Sequence, residues 1–157
     1  MTPISDLDAD MIRYSPSQQV TTAYYTSGRI DLIYSDRIYN LVGISDNSML
    51  NDKTATRIFY YKKYAFIAGH FGLMQIDLDN HQIVATAFLG KEVLDAFALD
   101  EKLYALTKEG LRSSTLSQNL QDPASWSLVK GLPQKEMISA ATLPDGSLWY
   151  IDSLHTL

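Results

Sequence analysis

The chain has 157 residues, enough for one domain with a sizeable core, and 46% hydrophobic with 20% charged residues is an ordinary globular balance that argues against wholesale disorder. Thirteen Lys and Arg against 18 Asp and Glu give a net charge of −5, and the only adjacent basic pair is Lys62–Lys63. Nucleic acid and anionic lipid surfaces, which need clustered cations, are therefore poor partners. The absence of cysteine excludes disulfides, thiolate metal sites and a cysteine nucleophile.

In chain order, short runs rich in tyrosine and β-branched residues end at turn formers, which is the signature of strands. The first group is Met11–Tyr14, Val20–Tyr25, Arg29–Tyr34 and Ile38–Val42. The second is Ile58–Tyr61, Tyr64–Ala68, Leu73–Leu78 and Ile83–Phe88. The third is Val93–Leu99, Leu103–Thr107, Leu111–Ser114 and Trp126–Val129, with an insertion at Leu116–Ser125. A fourth begins with Ile138–Leu143 and Leu148–Ile151 around an Asp145-Gly146 hairpin signal. Only Ser113–Leu120 and Met137–Leu143 offer a helical alternative, and neither reaches the length expected of a stable helix.

Gly28, Gly72 and Gly110 are expected in corresponding turns between second and third strands, at spacings of roughly 40 residues. Four strands at that period are the blade of a β-propeller; a β-sandwich with accidental spacing is the alternative. The expected fold is all-β, with blades of four antiparallel strands at 8–43, 55–88 and 91–130 and a partial blade at 136–157. That is about 3.5 blades, where propellers use roughly four to eight, so the sequence reads as the N-terminal piece of a longer protein. No apolar run approaches the roughly 18 residues of a membrane span, and Met1–Asp10 lacks the features of a signal peptide. The chain reads as soluble, and an exported parent would have lost its signal.

Leu143-Pro144-Asp145-Gly146-Ser147-Leu148-Trp149-Tyr150-Ile151 resembles the repeat of the two-component regulator propellers, as do Ala65–Leu73 and Tyr104–Leu111. Ser27–Tyr34, Asp52-Lys53-Thr54, Gly69–Asp77 and Asn119–Trp126 are similar to the N-terminal propeller of PorZ-like proteins of the type IX secretion system in Bacteroidetes. The resemblance spans Thr21 to Trp149. It implies an extracytoplasmic location, in the periplasm or on the outer-membrane surface, within a longer protein carrying further blades and C-terminal domains. It also implies recognition of a glycan, such as surface lipopolysaccharide, or of secretion-system proteins, in the attachment of secreted cargo. The regulator propellers imply instead a sensor of carbohydrate, and a purely structural module is a third reading.

Chemistry-bearing residues are sparse. His70, His81 and His155 lack the close pairing of metal ligands, so no metal and no cofactor is expected. Asp6, Asp8 and Asp10 alternate without the glycine and glutamate of an EF-hand loop, and Asp77–Asn80 reads as a turn. No nucleophile elbow or phosphate loop occurs, so the chain is not expected to be an enzyme; a lyase or glycosidase would need a carboxylate pair at the central channel. Sugars stack on aromatic faces edged by polar groups, which makes Tyr24, Tyr25, Tyr60, Tyr61, Phe71 and His70 the candidate ligand contacts. Tyr64 is a further exposed-face candidate. Packing between blades is the competing role for each adjacent aromatic pair. Trp126 and Trp149 are expected to be packing residues, and open blade edges at Met11–Tyr34 and Ile138–Ile151 are expected to favour self-association.

Overall fold

The computed structural model describes residues 3–5, 8–132, 137–143, 145 and 147–152; Asp6, Gly146 and His155 lie outside them. Strands dominate, and no helix among the described residues is long and apolar enough to cross a membrane. Sheet 1 contains β1 (Ala9–Ser15), β2 (Val20–Tyr25), β3 (Ile30–Ile33) and β4 (Ile38–Leu41). Sheet 2 contains β5 (Ala55–Tyr61), β6 (Tyr64–Gly69), β7 (Gly72–Asp77) and β8 (Gln82–Ala87). Sheet 3 contains β9 (Asp95–Leu99), β10 (Lys102–Thr107), β11 (Gly110–Thr115) and β12 (Ser127–Leu128). Sheet 4 pairs β13 (Met137–Thr142) with β14 (Leu148–Asp152). Strands pair antiparallel in chain order, and the first strand of each sheet lies against the first strand of the next. Four meandering sheets stacked through their first strands form an open arc of propeller blades, an arrangement that a two-layer sandwich does not have.

Burial explains the composition of the central strands. Ala65 and Ile67 of β6 face sheet 1, where they join Tyr24, Ile30, Ile58, Met74 and Ile76. The intervening Phe66 and Ala68 face sheet 3, with Leu73, Val93, Leu103, Ala105 and Trp126. A strand covered on both faces has no solvent side to spend on polar residues, so Tyr64–Gly69 reads as a continuous apolar run. Leu106 and Leu111 continue the pattern against Met137 and Ala140 of sheet 4. Full burial of one such large side chain contributes about 1.5–3 kcal/mol.

Polar side chains on the first strands lock neighbouring sheets together. The register of β1, β5 and β13 shifts near the start of each strand, between Ala9 and Met11, Ala55 and Arg57, and Met137 and Ser139. A bulge leaves one residue out of the ladder and re-aims its side chain. Asp10, within the first bulge, accepts from the Ala55 amide at 2.8 Å, and Thr56, within the second, donates to the Val93 carbonyl at 2.8 Å. Asp95 of β9 reaches both ways. It accepts from Arg57 Nε at 2.8 Å and Nη2 at 3.0 Å, and from Ser139 Oγ at 2.7 Å and the Ala140 amide at 3.1 Å.

Three details differ from expectation. Trp126 lies just before β12, as the residue that ends a short 3₁₀ turn at Pro123–Ser125, and packs inward with 5% exposure. Trp149 is 52% exposed, so its assignment as a packing residue is corrected. Alternation along β14 sends its neighbours Leu148 and Tyr150 towards sheet 3 and Trp149 to the opposite face. The glycine turns also come in two forms. Gly72 and Gly110 follow two-residue turns and pair with Gly69 and Thr107. Gly28 instead lies within the four-residue connection Thr26–Arg29, donating to the Tyr25 carbonyl at 2.8 Å.

Gly72 has φ +132°, and a Cβ there would sit 2.0 Å from the Ala87 carbonyl oxygen. The equivalent atom at Gly110 would meet only the Leu128 side chain, at 3.0 Å. Gly72→Ala is expected to destabilise by about 2 kcal/mol, since backbone must move as well as adopt a disfavoured φ. Gly110→Ala should cost less, and chemical denaturation of the two variants compares them directly.

Candidate functional site

The β2–β3, β6–β7 and β10–β11 turns and the β4–β5 and β8–β9 loops all gather at one end of the arc. Backbone bonds tie them together: Ile44 N–H donates to Gly28 O at 3.1 Å, His70 N–H to Thr54 O at 2.9 Å, and Val93 N–H to Gly69 O at 3.1 Å. These ties hold Asp52, His70 and Glu92, from three successive connections, with one ligand atom of each within 4.8 Å of the others. Asp52 Oδ2 lies 2.6 Å from His70 Nδ1, and Asp52 Oδ1 accepts from the Thr54 amide at 3.0 Å. These bonds, that of His70 foremost, pull the Asp52 carboxyl down to about 2.

Beside this group, Lys91, Glu92, Lys108 and Glu109 line an open cavity of about 200 Å³. Lys91 Nζ lies 2.5 Å from Glu109 Oε1, and that contact, more than the nearby Arg112, lowers the Glu109 carboxyl below its ordinary value. Alternating ammonium and carboxylate groups of this kind offer both donors and acceptors to a polyhydroxylated ligand.

The structure does not bring the six candidate ligand contacts into one site. Tyr24 is fully buried, stacked on the buried Phe71 with ring centroids 5.9 Å apart, and donates to the Lys53 carbonyl at 2.7 Å. Burial, helped by Asp10 and Asp52, pushes its hydroxyl well above the usual tyrosine value. Tyr25 points to the opposite face of β2, where it is also buried and donates to Asp31 Oδ2 at 2.8 Å. These three rings therefore have no face open to a sugar. Their assignment as ligand contacts is corrected on that ground: both faces of β2 are covered, one by sheet 2 and the other by the segment that carries Ser5, which bonds Asp31.

Tyr60 and Tyr61 lie at the far end of the sheet, beside the Lys62–Lys63 turn. The Tyr60 hydroxyl is 2.7 Å from both the Arg13 carbonyl and Thr22 Oγ1, bridging sheets 1 and 2. Tyr61 accepts from the Glu101 amide at 3.1 Å, bridging sheets 2 and 3. Tyr64 is part of the packing between sheets 2 and 3, 6.1 Å from Phe66. Of the six, His70 and Phe71 share the β6–β7 turn of the loop cluster, and of these two only His70 is not buried. Asp145 accepts from Ser147 N–H at 2.9 Å in its exposed turn, and His81 stacks on Tyr39 with centroids 3.7 Å apart.

Sequence reasoning missed Asp52 and Glu92 because each comes from a different connection; only the fold's stacking of successive loops puts them beside His70. Both first-strand carboxylates, Asp10 and Asp95, are occupied by bonds to neighbouring sheets.

A family model described as the type IX secretion system PorZ N-terminal β-propeller domain matches residues 1–127. The structure of PorZ, an essential bacterial surface component of the type IX secretion system of Porphyromonas gingivalis, is 31% identical with a TM-score of 0.79. That similarity covers 96% of this chain, which spans 22% of the PorZ chain. The extracellular domain of a one-component system protein from B. thetaiotaomicron shares the fold at 13% identity and TM-score 0.62, covering 98% of this chain and 22% of that one. The β-propeller domain of Cps50 (Swd1) from Myceliophteria thermophila shares it at 11% identity and TM-score 0.69, covering 96% of this chain and 53% of that one. No curated protein matches the chain. With most of its length matched by one family model and a propeller arc built by its four sheets, the chain belongs to the family of PorZ N-terminal β-propeller domains.

Proposed function

We propose that the chain is a non-catalytic recognition module of an exported surface protein, located outside the cytoplasm, and that it binds a glycan through the loop end of its blades. The observation that carries this reading is the Lys91–Glu92–Lys108–Glu109 cavity, set in a propeller of a family whose P. gingivalis member is a surface component of a secretion system. A catalytic reading has less support, because Asp10 and Asp95 on the first strands already serve neighbouring backbone amides.

Titration calorimetry with purified outer-membrane polysaccharide tests the proposal. Saturable binding is expected, with the Lys91→Ala/Lys108→Ala variant weaker by about tenfold or more, since hydrogen bonds to charged groups contribute about 1.5–3 kcal/mol each. No saturable binding, or binding unchanged in that variant, overturns it, as does cleavage of the polysaccharide.

The remaining blades and C-terminal domains of a longer protein are the other partners in this reading. Ile12 and Tyr14 on β1 and Trp149 on β14 are large exposed side chains on the flanking sheets. Alone, the chain is expected to self-associate at micromolar concentration through these flanks. Light scattering giving a stable monomer would count against that expectation.

A further inference from the structure

We propose that Asp52, His70 and Glu92 bind a divalent transition-metal ion of the zinc class, a role that goes beyond glycan recognition and does not depend on it. The three side chains come from the β4–β5 loop, the β6–β7 turn and the β8–β9 loop, and their ligand atoms already lie within 4.8 Å of one another. They are held there by main-chain bonds, His70 N–H to Thr54 O and Val93 N–H to Gly69 O. A bound ion would therefore find its ligands gathered and would have little backbone to order.

Charge points the same way. Two carboxylates sit beside one imidazole, and the neighbouring lysines are engaged elsewhere, Lys53 Nζ with the Ser45 carbonyl at 3.4 Å and Lys91 Nζ with Glu109 at 2.5 Å. Asp52 is bonded by His70 and Thr54, whereas the exposed Glu92 carboxylate makes no hydrogen bond or ion pair among the described residues. A cation seated between the three groups would relieve the repulsion between the carboxylates. An imidazole nitrogen with two carboxylate oxygens suits zinc, cobalt or manganese, with water completing the shell. Calcium and magnesium prefer oxygen ligands alone. Spacing of the three residues along the chain hides the site, since none is close in sequence to another.

The test is calorimetric titration of the whole chain with Zn²⁺, together with Co²⁺ absorption as a reporter of imidazole ligation. One ion per chain and a Co²⁺ spectrum that disappears in His70→Ala are the expected results. Glu92→Gln, at an exposed position without a bonded partner, should melt like the wild type yet bind Zn²⁺ at least about tenfold more weakly, a loss no smaller than removal of an outer-shell partner brings. The proposal is overturned if Zn²⁺ shows no saturable binding, if both variants bind as the wild type does, or if Ca²⁺ competes with Zn²⁺ on equal terms.

Discussion

Replacing Trp126 with alanine is expected to destabilise the chain by about 3–5 kcal/mol, the range for removing a large buried aromatic ring. The indole fills the seam between sheets 2 and 3 with Phe66, Leu103 and Leu120 around it, and its Nε1–H donates to the Leu120 carbonyl at 3.0 Å. Alanine would leave both a cavity and an unbonded carbonyl at Leu120, a buried residue of an otherwise largely exposed loop. Trp149→Ala, by contrast, should stay within about 0.5 kcal/mol of the wild type, because its ring is half exposed and its Nε1–H bonds only Ser147 in the same hairpin. Urea denaturation of the two variants measures the difference. Equal losses would mean that the 3₁₀ insertion does not anchor Trp126 as described.

A second large effect is expected at Asp95. Its carboxylate is 2% exposed in a residue that joins three sheets, accepting from Arg57 of β5, Ser139 and Ala140 of β13, and its own neighbour Ala96. Asp95→Ala removes the acceptor of all of them and leaves the buried Ala96 and Ala140 amides unbonded, while the partly exposed Arg57 can turn to water, a loss of about 2–4 kcal/mol at about 1–3 kcal/mol per unsatisfied buried donor. Burial pushes the Asp95 carboxyl up, but the bonds from Arg57, Ser139 and Ala140 pull it down further, so it lies below the ordinary value. A carboxyl depressed by folding contributes its stability in full above its unfolded value of about 3.9, and loses it as pH falls through the lower folded value. Stability should therefore fall as pH drops below about 4. In Asp95→Asn that acid dependence should be shallower. Identical pH slopes for the two proteins would show that Asp95 does not couple the sheets.

The fold was legible because its strands repeat a short local signal. Tyr64–Gly69 is apolar on both faces and bounded by the two-residue turns Lys62-Lys63 and His70-Phe71, so neither its period nor its ends are ambiguous. Where the structure departed, tertiary context decided. Trp126 and Trp149 have similar apolar neighbours in sequence, but one ends a 3₁₀ turn that folds into a seam and the other faces outward from a two-stranded sheet. The aromatic pairs hid a further ambiguity: alternation says that Tyr24 and Tyr25 point to opposite faces, but not that both faces are covered. Asp52, His70 and Glu92 carried no local signal, because their proximity comes from stacking connections of successive blades. Asp95 is similar, since nothing in Leu94-Asp95-Ala96 announces that an acidic side chain will be shared among three sheets.

Recognition at the loop end is tested most directly by backbone amide chemical-shift mapping with purified outer-membrane polysaccharide. Perturbations are expected to cluster at residues 52–54, 69–71, 90–93 and 107–110, around the Asp52–His70–Glu92 group and the Lys91–Glu109 cavity. Shifts confined to the opposite end, at residues 62–63, 79–81 and 100–101, or no shifts at saturating polysaccharide, would contradict it.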